Sequence, residues 1–305
     1  MKKLLLTVLM VAISITFAIA CTTIAVTKGA SVDGSTSVTH SCDSGDCDFR
    51  LIYVPAMDHA PGSRRNVYPY VEPFPRYNGK DFGPNYDLPG YPLTEALGSI
   101  EQVPHTYAYF MGSYGIMNEH QLSIGECTCS AKVYAQPKAG ERIFDISSLS
   151  MVALERCTTA REAIKLMGEL GVRYGYYGWG ETLTIADTKE VWVFEMCGDP
   201  SGKSALWAAR KVPDGEIFVE ANEFRIRELP ENDPNVMFSP NLKEITKTAG
   251  WWDGKGDFDW LRTVSTGEYT HPYYSLRRVW RIMDRLAPSL KLSAWVEDGF
   301  TKAYP

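Results

Sequence analysis

"FAIACTTIAV", residues 17–26, joins the end of an apolar leader to a run of β-branched residues, with a cysteine at the junction. Upstream, Lys2 and Lys3 precede an apolar stretch, and Ala18-Ile19-Ala20 has the small-x-small pattern that signal peptidases cut. Residues 1–20 are therefore read as a signal peptide and 21–305 as the mature, exported protein. Cleavage after Ala20 would leave Cys21 first, with a free α-amine beside its thiol. Three readings of Cys21 stand: an incidental residue, the lipid-bearing cysteine of an anchored binding or structural lipoprotein, or a nucleophile with its own amine as base. A lipoprotein signal usually has leucine where this chain has Ala18. Lipid would also block both thiol and amine, so the last two readings exclude each other.

The composition is that of a globular protein: 305 residues, 45% hydrophobic and 12% aromatic. The formal charge of −6 becomes −8 without Lys2 and Lys3. No basic cluster stands out, so nucleic acid is not an expected partner. Beyond the leader no apolar run reaches the roughly 20 residues that span a bilayer.

Cys21 aside, six cysteines remain: Cys42, Cys47, Cys127, Cys129, Cys157 and Cys197. A local Cys42–Cys47 disulfide is one reading of the turn-forming "DSGD" between them, though sequence alone does not choose the pairing. Cys127 and Cys129, two apart in an expected strand, should face the same way. No CxxC pair or histidine cluster supports zinc, so no metal or cofactor is expected.

The mature chain opens with strands in "CTTIAVT", "DGSTSVTHSC" and "FRLIYVPA". From Pro55 to Pro104 periodicity gives way to Pro, Gly, Tyr and Asn, as expected of a lid or substrate-side loop. "TYAYFMGSYGIMNEHQLSIGECTCSAKV" reads as two strands around a turn at 117–121. Helical spacing follows over "SSLSMVALERCTTAREAIKLMGELG", with Ser147 or Ser148 and Thr158 or Thr159 as N-caps and Gly171 as the stop. "ETLTIADTKEVWVFEMCG" predicts a hairpin turning at 187–189. "ALWAARKV" and "EIFVEANEFRI" predict another through "PDG". "SLRRVWRIMDRLA" is a late amphipathic helix. This order suggests helices on the outer faces of antiparallel sheets. The aromatics of "YGYYGWGE" read as core and loop packing.

A thiol attacks as thiolate and needs a base or a favourable field. An α-amine titrates near pH 8, below lysine, so on the same residue it can relay the thiol proton without a histidine. The five histidines, His40, His59, His105, His120 and His271, show no papain-like or caspase-like context.

"CTTIAVTKGASVDGSTSVTHSCDSGD", "GIMNEHQLSIGE", "LTIADTKEVWVFE", "VEANEFRIREL" and "SLRRVWRIMDR" together resemble the dipeptidases of peptidase family C69. These are N-terminal-nucleophile hydrolases related to bile-salt hydrolases and penicillin V acylases. The resemblance implies an α+β fold, a four-layer αββα sandwich of two antiparallel sheets flanked by helices. It implies hydrolysis of dipeptides without metal or cofactor, an acylase acting on other small amides being the alternative. Cys21 matches the nucleophile, and Asp43 a carboxylate that holds the amine or orients the thiol. Asn118 matches an oxyanion donor and Asn222 a second amide near the scissile carbonyl. Arg277 matches the late arginine of the site, with Arg278 an equally close neighbour. Where relatives often carry arginine three residues before that aspartate, this chain has His40. Outside the resemblance, Asp43, Asn118 and Asn222 read as turn residues and Arg277 as a solvated helix charge. Relatives are longer, so a C-terminal truncation of 21–305 is also envisaged.

Overall fold

In strand β1, Ala20–Val26, burial alternates: Cys21, Thr23 and Ala25 are buried, and Thr22, Ile24 and Val26 only partly. Strand β2, Ser37–Asp43, pairs with it antiparallel and sets Cys42 opposite Cys21. The computed structural model describes residues 20–267 and 272–294. Residues 1–19, which include most of the expected signal peptide, His271 and the terminal "DGFTKAYP" lie outside the described residues.

Short strands follow: β3 Ile52–Val54, β4 Met57–Asp58, β5 Arg64–Val67, β6 Gly98–Glu101, β7 His105–Thr106, β8 Tyr109–Met111 and β9 Gly115–Asn118. Longer strands are β10 Ser123–Cys129, β11 Gly180–Ala186, β12 Val191–Gly198 and β13 Ala205–Lys211, with β14 Ile217–Glu220 and β15 Val236–Phe238 closing the series. The helices are α1 Ile146–Arg156, α2 Ala160–Tyr174, α3 Leu242–Thr248, α4 Trp260–Val264 and α5 Arg277–Leu286.

An eight-stranded antiparallel sheet runs β15-β13-β12-β11-β10-β9-β8-β3, and a three-stranded sheet runs β14-β1-β2. Leu149, Val152, Ile164 and Met167 of α1 and α2 pack with Phe194, Met196 and Trp207 on one face of the large sheet. Ala25 of β1 joins Cys129, Val193 and Cys197 between the sheets. Val219 and Ala221 pack with Val279 and Met283 of α5 on the far side. The layers are thus helix, sheet, sheet, helix: a four-layer αββα sandwich, as the resemblance implied.

The sheets meet closely at β10. A Cβ on Gly125 would lie 2.7 Å from the Thr39 carbonyl oxygen and 2.8 Å from the Thr23 and Thr184 hydroxyls, so glycine lets β1 and β2 approach. The Thr23 and Thr184 hydroxyls bond across the gap at 2.6 Å.

Several sequence expectations shift. The segment from Pro55 to Pro104 does hold strands, β5 paired with β6 and β4 paired with β7 just beyond it, and it is anchored by a buried Arg65–Glu155 ion pair at 2.8 Å. A further turn splits "TYAYFMGSYGIMN", giving three strands where two were expected. Helix α1 is capped by Asp145, with Ser148 reciprocating, and α2 by Thr159 with Glu162. Gly171 lies inside α2, which stops at Gly175 in a positive-φ conformation. The "PDG" segment is not a hairpin turn: β13 belongs to the large sheet and β14 crosses to the small one beside β1. That crossover brings the residues after β14 to Cys21.

Candidate active site

Cys21 is buried, 5% exposed, in the wall of a cavity of about 540 Å³. Its backbone N–H donates to Asn222 Oδ1 at 2.8 Å. Asn222 lies just past β14 with φ 58°, a left-handed conformation that asparagine tolerates better than most residues. Its backbone N–H donates to Cys127 Sγ at 3.2 Å and its Nδ2 to the Thr128 carbonyl at 2.7 Å. One side chain therefore joins the Cys21 nitrogen to β10 of the other sheet.

Arg278 closes the far side. Its Nη1 donates to the Cys21 carbonyl at 2.5 Å and to Thr22 Oγ1 at 3.2 Å. Its Nη2 reaches the Ala221 carbonyl and Asn222 Oδ1, both at 2.9 Å. Nε donates to the Tyr274 carbonyl at 2.8 Å, and the guanidinium sits over the Tyr274 ring. A planar fork with several donors can hold this set; a single ammonium cannot.

Thiols flank Cys21. Hydrogen bonding to Cys127, then burial and the charge of Glu126, hold the Cys21 thiol well above the ordinary thiol range, while the Cys42 thiol works against them. At rest the sulfur is thus a thiol, and attack requires a base. His40 Nδ1 lies 2.6 Å from the Glu126 carbonyl oxygen, and its side chain is 23% exposed. Burial alone would lower its pKa, but Cys42 and Glu126 raise it overall. At the position where relatives often carry arginine, His40 binds the β10 backbone.

The sequence model of peptidase family C69 matches residues 20–298, nearly the whole described chain. The chain belongs to peptidase family C69. It is similar to a "Probable dipeptidase" from Salmonella dublin, 28% identical over 89% of this chain and 59% of that protein. A "Probable dipeptidase" from Latilactobacillus sakei is 27% identical over 89% of this chain and 54% of its own length. The chain thus spans little more than half the length of these curated relatives. A solved penicillin V acylase from Agrobacterium tumefaciens aligns at 13% identity and a TM-score of 0.33, over 77% of this chain and 58% of that one.

Within this C69 chain the expected site residues separate. Cys21 and Asn222 come together. Asn118 does not join them: its Nδ2 donates to the Leu154 and Cys157 carbonyls at 2.9 and 2.8 Å. Its Oδ1 accepts from the backbone of His120 and Leu122 at 3.0 and 3.1 Å. Both amide protons being engaged, Asn118 has no donor for an oxyanion; it builds the β9–β10 turn and ties it to the end of α1. Asp43 pairs with Ala20, one position from the Cys21–Cys42 pair, so strand alternation sends its exposed side chain to the other face. Arg277 lies over the Tyr273 and Trp280 rings, and its neighbour Arg278 holds the place at Cys21.

Other residues of the site were read differently from sequence. Cys42 and Cys127, weighed there as disulfide or strand cysteines, are free thiols beside Cys21, and Cys47 is also free. Tyr176, Tyr177 and Trp179 of "YGYYGWGE", read as packing, line the cavity. Drawing "CTTIAVT" and "STSVTHSCD" as one antiparallel pair would have set Cys42 against Cys21. Among the described residues no group of three or more His, Cys, Asp or Glu side chains could hold a metal, and no helix is long and apolar enough to cross a membrane.

Proposed function

We propose that this chain is an exported dipeptidase, with Cys21 as an N-terminal nucleophile once residues 1–20 are removed. The observation that carries the reading is the 2.8 Å bond from the Cys21 nitrogen to Asn222 Oδ1, with the thiol beside a cavity of about 540 Å³. Such a volume suits a small peptide. The "probable dipeptidase" names of the relatives favour the same substrate class.

In this mechanism Asn222 accepts an N–H of the freed amine, so the nitrogen lone pair is aimed at the thiol. The amine takes the thiol proton, and sulfur attacks the dipeptide carbonyl to form a tetrahedral intermediate. Its collapse expels the C-terminal amino acid, whose nitrogen receives the proton, and leaves a thioester on Cys21. Water, deprotonated by the same amine, then releases the N-terminal amino acid and restores the thiol.

The test combines N-terminal sequencing and intact mass of the exported protein with kinetics on a dipeptide panel. A mature chain beginning Cys-Thr-Thr, activity rising through the amine titration near pH 8, and loss of turnover in folded Cys21→Ala are the expected results. A diacylglyceryl adduct on Cys21 would replace this reading with that of a lipid-anchored protein. Parent-rate hydrolysis by folded Cys21→Ala would remove the nucleophile assignment.

A further inference from the structure

Among the described residues the cavity beside Cys21 is lined by the acids Glu72, Asp145 and Glu181 and by no lysine, arginine or histidine. These acids are not equivalent. Asp145 is committed to the N-terminus of α1, where its Oδ1 accepts from the Ser148 backbone at 2.9 Å and from the Ser148 hydroxyl. Glu72 is exposed. Glu181 is 6% exposed, lines the cavity, and its Oε2 has no hydrogen-bond partner among the described residues.

Glu126 stands behind it. Thr128 of β10 lies directly opposite Glu181 of β11, and its hydroxyl donates to Glu126 Oε1 at 2.8 Å. Among the described residues Glu126 Oε2 is also buried without a hydrogen-bond partner, with His40 Nδ1 3.7 Å away. A buried carboxyl oxygen left unpaired is costly to the fold. A cationic donor entering the cavity would remove that cost.

The position matters as much as the charge. The Thr128 carbonyl accepts from Asn222 Nδ2, and Asn222 Oδ1 holds the Cys21 nitrogen. Glu181 is therefore linked to the nucleophile through two intervening residues, Thr128 and Asn222. In a dipeptide the α-nitrogen is separated from the scissile carbonyl carbon by a single Cα, about 2.5 Å through space. An anionic group serving that nitrogen must therefore lie close to the attacking sulfur.

We propose that Glu181, backed by Glu126, binds the free α-ammonium of the substrate and so makes an unblocked N-terminus a condition of cleavage. This rests on the dipeptidase reading of the Cys21 site. It adds to that reading a reason for the enzyme to distinguish dipeptides from N-acylated amides: an acylated nitrogen is neutral and leaves the acid pair unsatisfied. Glu181 touches the non-reacting end of the substrate, so its contribution belongs mainly to binding.

The experiment compares a dipeptide with its N-acetyl derivative on the mature parent and on Glu181→Gln. Burial, reinforced by Glu126, raises the Glu181 carboxyl well above the usual carboxylate range, so glutamine reproduces its uncharged resting form and the fold should hold, but unlike the acid it cannot ionise when the substrate ammonium arrives. The expected result is a kcat/KM for the free dipeptide about 10- to 100-fold lower, mostly through KM, with little change for the N-acetyl form. An unchanged ratio between the two substrates in a folded variant would overturn the proposal, as would a loss confined to lysine-containing dipeptides.

Calorimetric binding to mature Cys21→Ala supplies a readout independent of turnover. Free dipeptide should bind at least 10-fold more tightly than its N-acetyl form; equal affinities would also overturn the assignment. The two failures are distinguishable. If the dipeptidase reading fails, Cys21→Ala keeps its activity; if only the ammonium site fails, activity still depends on Cys21 while the substrate ratio ignores Glu181.

Discussion

At the scale of single residues, Asn118 and Asn222 show what a motif match can and cannot convey. Both are buried asparagines beside strand ends, and both match the same class of amide in the family resemblance. The difference is where their hydrogen bonds go. Asn118 spends both donors and its acceptor on the backbone around its own turn and the end of α1. Asn118→Ala should therefore lower the melting temperature by several degrees, since two buried carbonyls and the buried Leu122 N–H lose their partner. The folded fraction should keep kcat and KM within about twofold, a small change by transition-state arithmetic; a kcat fall of 100-fold with an unchanged melt would restore its catalytic role. Cys21 stands out in the sequence because an apolar run, a small-x-small pattern and a cysteine adjoin one another. The place of Asp43 is not legible there, because the face of a strand residue depends on register, and a one-residue offset reverses it. The choice between Arg277 and Arg278 likewise depends on helix phase, which a short basic run leaves open.

At the scale of elements, the site is a junction of β1, β14, β10 and α5 rather than a loop. The strands of the large sheet could be read from β-branched alternation and from the 187–189 turn, because those signals are local. The crossing from β13 to β14 could not, since "PDG" suits a hairpin turn as well as a passage between sheets. Tertiary pairing decides it: β14 runs antiparallel to β1, with Val219 opposite Ile24. Arg278 then fastens α5 to both strands at their Cys21 end. Arg278→Lys should lower kcat by about 10- to 100-fold, because one ammonium cannot serve the Cys21, Ala221 and Asn222 acceptors together. Arg277→Lys should stay within about twofold, as its cation lies over the Tyr273 and Trp280 rings and a lysine can occupy the same place. Steady-state kinetics on both variants checks the pair. Equal losses would mean that α5 acts through its overall charge and not through this clamp.

At the scale of the whole molecule, the interior holds several carboxyl groups whose protons burial retains. Burial raises Glu195 to about 7 and Asp145 to about 6, although each accepts hydrogen bonds that pull the other way. Glu181 and Glu220 are raised well above the usual range, again first by burial. A carboxyl whose pKa is higher in the fold than in the unfolded chain, where it is about 4, keeps its proton longer when folded. The folded state then binds more protons across that interval, so stability falls as pH rises through it. For Asp145 and Glu195 the loss runs from about pH 4 to about pH 6 and 7; for Glu181 it continues further. The opposite sign applies to Glu190, held at about 2 first by its Arg161 bond, whose contribution is lost as pH falls from about 4 toward 2. Together these place the stability maximum near pH 4, with a decline toward pH 8. Glu181→Gln removes an ionisation that the interior opposes, so its melting temperature should match the parent near pH 4 and exceed it by a few degrees at pH 8. Differential scanning calorimetry from pH 4 to 9 gives both curves. A variant that is less stable than the parent at pH 8 would show Glu181 to be part of the scaffold. One that is more stable there while losing its preference for free dipeptides would show a carboxylate kept for its substrate at the expense of the fold.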